Sequence, residues 1–89
     1  MRIVDEWSRN KMKVTVFHMN GRYSVKLEQD LFEQTYKFRD GQFNEVQTLK
    51  NKMDDAFYTH CEQIFSSMQD NRKELLTVSD EEDNFPVII

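Results

Sequence analysis

The amino-acid sequence predicts an α+β fold: an antiparallel β-meander of three or four strands followed by one long amphipathic helix packed on one sheet face. Three observations carry that prediction. Asn20-Gly21 sits between two runs, MKVTVFHM and RYSVKLEQ, in which apolar and polar residues alternate. A further run, LFEQTYKF at residues 31–38, alternates in the same way. Beyond Phe43 the apolar positions switch to helical steps, at Val46, Leu49, Met53, Phe57, Ile64 and Met68.

The first candidate strand is RIVDEW, returning through Ser8-Arg9-Asn10-Lys11. That turn sets Trp7 opposite Met12 but Asp5 opposite Val14, a poor pair, so the sheet is expected to have three or four strands. The next hairpin is better defined. Asn-Gly favours a two-residue type I′ turn, because both central positions need positive φ. The turn pairs His18 with Tyr23, Val16 with Val25 and Val14 with Leu27 on one face. On the other face it pairs Phe17 with Ser24, Thr15 with Lys26 and Lys13 with Glu28. Apolar meets apolar and opposite charges meet, as cross-strand pairing favours.

A second tight turn at Gln29-Asp30 sets Leu27 against Phe32, Val25 against Gln34 and Lys26 against Glu33. Arg39-Asp40-Gly41 breaks the chain after the last strand. Asn44 and Gln47 form a candidate capping box. The helix is expected from about residue 44 to 69 or further. The segment TVSDEEDNFPVII turns acidic and then apolar. Residues 1–78 therefore read as a single α+β domain and 79–89 as a tail, whose Phe85–Ile89 end is a candidate to fold back or add to a sheet edge.

Eighty-nine residues suffice for one domain. A chain this short buries too little surface to be very stable alone, and self-association is a common remedy. The single cysteine, Cys61, fits a reducing, cytoplasmic setting. MRIVDEWSRN lacks the apolar core of a signal peptide, and no apolar run approaches the ~20 residues that span a membrane.

A helix over 44–69 is about 39 Å long, whereas eight-residue strands span only about 27 Å. Its apolar stripe is also broad, because Tyr58, Cys61, Phe65 and Leu76 lie to one side of its centre. One small sheet does not easily cover both seams. Tyr58, Cys61, Phe65 and Met68 are accordingly the expected self-association surface of a homodimer.

No catalytic constellation is evident. His18 faces Tyr23 on the inner sheet face, and His60 and Cys61 diverge by about 100° on the helix, unlike a metal pair. A site combining His18, His60 and Cys61 is the only sharp alternative to two hydrogen-bonded histidines and an inert thiol. Asp54, Asp55 and Glu62 fall on the helix's polar side, and no glycine-rich phosphate loop is present. Neither enzyme activity nor a cofactor or metal is expected.

The net charge of −4 hides an asymmetry. Residues 8–42 hold seven Lys/Arg against four Asp/Glu, and residues 43–89 hold four against ten. The outer sheet face collects cations and one aromatic. A solvated sheet face has the same composition, and the pairs Lys13–Glu28 and Lys26–Glu33 neutralise its middle. What remains is Arg22, Lys37 and Arg39 beside Phe17, a candidate anion or nucleic-acid site. In outline, a meander followed by one long dimerising helix resembles the single-strand-binding fold of PUR repeats, without a shared sequence motif. The expected function is a non-catalytic interaction module that self-associates through its helix, with single-stranded nucleic-acid binding on the outer sheet face as the alternative.

Overall fold

The computed structural model describes residues 1–39 and 41–82, with side chains described as far as Leu76. Four strands form one antiparallel meander in the order β1-β2-β3-β4: β1 Arg2–Arg9, β2 Met12–Met19, β3 Arg22–Gln29 and β4 Phe32–Lys37. A short helix, α1 (Val46–Lys52), and a long one, α2 (Asp55–Glu82), follow. The expected tail boundary at residue 79 falls inside α2, and residues 83–89 lie outside the described residues.

The β2–β3 hairpin has the expected register, with Val14 opposite Leu27, Val16 opposite Val25 and His18 opposite Tyr23. Asn20 and Gly21 both take positive φ, 52° and 78°. The flanking hairpins correct the expected registers. The β3–β4 turn is Asp30-Leu31, not Gln29-Asp30, and Leu27 faces Gln34. Asp30 occupies the left-handed region at φ 55°, which Asp tolerates better than most residues. Gln29 is thereby released into the strand, opposite Phe32. The displacement is two residues, so every side chain keeps its face.

The same correction applies to β1. Its turn is Asn10-Lys11, with Asn10 at φ 57°. Trp7 therefore faces Val14, not Met12, and Asp5 faces Val16, not Val14. A bulge between Ile3 and Asp5 restarts the ladder with Ile3 opposite Phe17. It turns Val4 toward the core and leaves Ile3 outside.

The helices cover the face bearing Met12, Val14, Val16, Val25 and Leu27, all of them buried. The expected continuous helix is interrupted at Met53 and Asp54. Met53 leaves helical geometry at φ −86°, ψ 78°. The Asp54 carboxylate then accepts the Phe57 N–H at 3.0 Å, and its carbonyl accepts the Tyr58 N–H at 3.1 Å. Asp54 is thus the N-cap of α2. The expected Asn44–Gln47 capping box is absent: Glu45 precedes α1 without a side-chain cap, and Gln47 bonds Asn51 instead.

The interruption lets each helix turn its own stripe inward. On α1 and its C-cap these are Leu49 and Met53, and on α2 they are Tyr58, Cys61 and Phe65. Among the described side chains, Met68 is the last of α2 packed on the core. Beyond it α2 continues to Glu82, a further ~21 Å of helix. The molecule consequently measures 53 × 27 × 18 Å, with a radius of gyration of 17.0 Å, against about 12 Å for a compact chain of this length.

Candidate functional site

The outer sheet face is built in rows across the strands. The pairings place Ile3, Phe17, Ser24 and Lys37 side by side from β1 to β4. The next row is Glu6, Thr15, Lys26 and Thr35, and the one after it Ser8, Lys13, Glu28 and Glu33. These latter two rows hold both signs of charge. Lys13 bonds Glu6 at 3.0 Å, and Lys26 lies 3.9 Å from Glu28. The expected partners were Glu28 and Glu33. β1 supplies Glu6, and the shifted register of β4 sets Glu28, not Lys26, opposite Glu33. Glu6 holds the Lys13 ammonium above the ordinary lysine range, first through the hydrogen bond and then through its charge. The middle of the face is therefore neutralised, though by other pairs than expected.

The first row is different. At its end of the sheet, Phe17, Arg22, Lys37 and Arg39 line one cleft of about 670 Å³, together with Ser24, Phe38 and two methionines. All four residues named from the sequence meet there. Three cations converge, and no carboxylate lines the cleft among the described residues. The Phe17 ring forms part of the wall, with the Lys26 ammonium 5.5 Å from its centroid. Arg39 sits just past β4, where its backbone N–H is held by Gln42 Oε1 at 2.7 Å. Sequence reasoning placed Ser24 opposite Phe17 on this face but did not name it as a site residue. It also missed Phe38, which continues the ladder by donating its N–H to the Tyr23 carbonyl at 2.9 Å.

The other named residues lie on the opposite side. Tyr58, Cys61 and Phe65 are only 5%, 1% and 2% exposed, packed in the core against the sheet, and Met68 is half-buried. The Tyr58 hydroxyl accepts the Trp7 indole N–H at 3.0 Å, and Arg9 lies over its ring at 4.4 Å. Gln34 donates to the Cys61 carbonyl at 2.9 Å and accepts the Tyr36 hydroxyl at 3.1 Å. Burial pushes the Cys61 thiol above its ordinary value, as it does the Tyr36 phenol. That environment quiets a nucleophile. His18 stacks beside Tyr23 at 4.6 Å, whereas His60 is exposed on α2. His18, His60 and Cys61 are not brought together, and the described residues hold no group of three or more potential metal ligands.

Among the described residues, no helix is long and apolar enough to cross a membrane. No family model, curated protein or solved structure matches the chain.

Proposed function

We propose that this chain is a non-catalytic binding module whose cleft on the outer sheet face takes single-stranded nucleic acid. One observation carries the reading. Arg22, Lys37 and Arg39 surround an aromatic wall in a cleft whose described lining holds no carboxylate. Cations track phosphates while an aromatic ring stacks a base, and an open sheet offers both at strand spacing. Cations gathered on one surface also attract an anionic strand, whatever the sign of the net charge.

The test is a titration of single-stranded DNA and RNA oligonucleotides against salt. Three phosphate contacts predict a slope of about −2 in log affinity against log salt, or roughly a twentyfold loss between 50 and 200 mM. Phe17→Ala is expected to cost about 1–3 kcal/mol through lost stacking. Absence of binding at 50 mM salt ends the proposal.

Self-association is a second reading with its own support. The surface expected for it is occupied within the protomer, yet α2 projects beyond the sheet. On that projecting part Leu75 is 74% exposed and Leu76 52%. A second copy packing along this projecting part makes an isologous dimer. A reducing, cytoplasmic setting suits either reading, since a single cysteine leaves no internal disulfide to form.

A further inference from the structure

The cleft has an apolar flank as well as a cationic one. Ile3 stands beside Phe17 across the β1–β2 ladder and is 55% exposed. Met1 and Met19, which line the cleft, are 77% and 47% exposed. Grouped apolar residues left in water mark an interaction surface, and phosphates offer them nothing. Lys37, at the other end of the same row, is exposed, as is Arg39 beyond it. From Lys37 to Ile3 the row crosses four strands, about 14 Å. One segment of the chain has the complementary order. Asp80-Glu81-Glu82-Asp83 is followed, after Asn84, by Phe85-Pro86-Val87-Ile88-Ile89. In extended chain Asp83 and Val87 are also about 14 Å apart.

That segment does not reach the cleft of its own chain. α2 runs antiparallel to β4, since Phe57 packs on Tyr36 and Cys61, one turn further on, accepts from Gln34. It leaves the sheet at the Asp30-Leu31 turn, away from Lys37 and Arg39. From Cys61 to Glu82 is about 31 Å of helix, and Lys37 lies about 10 Å from Gln34 in the other direction. Residues 83–89 extend at most about 25 Å, short of the roughly 40 Å back to the row, which is also on the opposite face. We infer that residues 80–89 of one copy dock in the cleft of a second copy. The Asp83 carboxylate at Lys37 and Arg39 sets Phe85 toward the Phe17 ring and Val87 toward Ile3. The docked carboxylates take the place of phosphates, so docking competes with a single strand. The competition rests on the single-strand reading of the cleft, and the docking does not.

Donor and acceptor are different surfaces of one chain, so each is disabled separately. The tail variant carries Asp80→Asn, Asp83→Asn and Val87→Asn, and the cleft variant Lys37→Glu and Arg39→Glu. Lys37 and Arg39 are exposed, and circular dichroism checks that both variants fold. Tail variant labelled with nitrogen-15, its cleft intact, is titrated with unlabelled cleft variant, whose segment is intact. Saturable shifts of the Phe17, Ser24 and Lys37 amides are expected, with a Kd on the order of 0.1 mM. An unlabelled chain carrying all five substitutions is expected to bind at least about tenfold more weakly. An absence of saturable shifts up to about 1 mM overturns the proposal, as do equal shifts from the chain with all five substitutions. Native cleft amides that differ from those of the tail variant by the same amount at every protein concentration place the segment in its own cleft, and also overturn it. A single-stranded oligonucleotide at about twice its own Kd is expected to raise the apparent docking Kd about threefold, by mass action. A bound oligonucleotide that leaves the docking Kd unchanged overturns the competition. An oligonucleotide that does not bind at all ends the single-strand reading, while the docking shifts stand by themselves.

Discussion

Asp5 shows how one residue can carry a strand that its own sequence argues against. A carboxylate on the helix-facing side of β1 opposes apolar Val16. The Lys50 ammonium at 2.9 Å resolves the conflict, and the same ammonium lies 4.5 Å from the centroid of the Trp7 ring. Its hydrogen bond holds the Asp5 carboxyl below the ordinary aspartate range, helped by the Glu6 N–H. A lowered folded-state value stabilises the protein above the ordinary aspartate value, and that contribution disappears as pH falls through the lowered one. Asp5→Asn is therefore expected to be less stable than the native chain at pH 6, with the difference closing in acid. Urea unfolding midpoints followed downward from pH 6 check this, and a difference that stays constant with pH contradicts it. Cys61 makes a second prediction at this scale. Buried and raised above its ordinary value, its thiol is expected to react with a disulfide reagent only at the rate at which the protein opens. Labelling as fast as that of a small free thiol contradicts the packing described.

At the scale of elements, the decisive features are single polar residues at chain reversals. Asn10, Asn20 and Asp30 each take positive φ, ten residues apart, and each starts a tight turn between strands. The middle turn was legible because Asn-Gly has few other uses. The outer two were harder to read, since neither Lys11 nor Leu31 is a turn residue. Both expected registers consequently missed by two positions. The faces survived this error because two residues is the period of a strand, and so Phe17 and Lys37 were read on one surface before their rows were known. The helix break was less visible. Met53-Asp54-Asp55 contains neither Gly nor Pro, and periodicity ran straight through it. The residue that marks it is Asp54, whose carboxylate caps α2. Asp54→Ala is expected to lower stability by about 1 kcal/mol, and Asp54→Asn, which keeps an acceptor oxygen, by much less. Equal losses in thermal unfolding assign the effect to charge at the helix terminus and not to the cap.

For the whole molecule, the consequence of that break is a division of α2 into two parts with different work. The first part docks Tyr58, Cys61 and Phe65 on the sheet. Their spacing of three and four residues continues past Met68 to Arg72 and Leu75, so the seam does not stop where the sheet stops. Sequence alone showed more apolar helix than one sheet covers, but not which stretch was left over, because that depends on the rotation introduced at Met53. The two parts are expected to respond differently to the same change. Phe65→Ala empties a buried site and costs about 3–5 kcal/mol. Leu75→Ala alters the fold's stability by less than about 0.5 kcal/mol in a monomer, as exposed substitutions do. If the projecting helix pairs with a second copy, Leu75→Lys lowers the sedimentation coefficient at micromolar concentration while circular dichroism at that concentration retains the helix. A native chain that sediments as a monomer across that range removes self-association. The proposal that the cleft takes a single strand is untouched by that result, since Phe17, Lys37 and Arg39 lie at the end of the opposite sheet face and draw on one protomer alone.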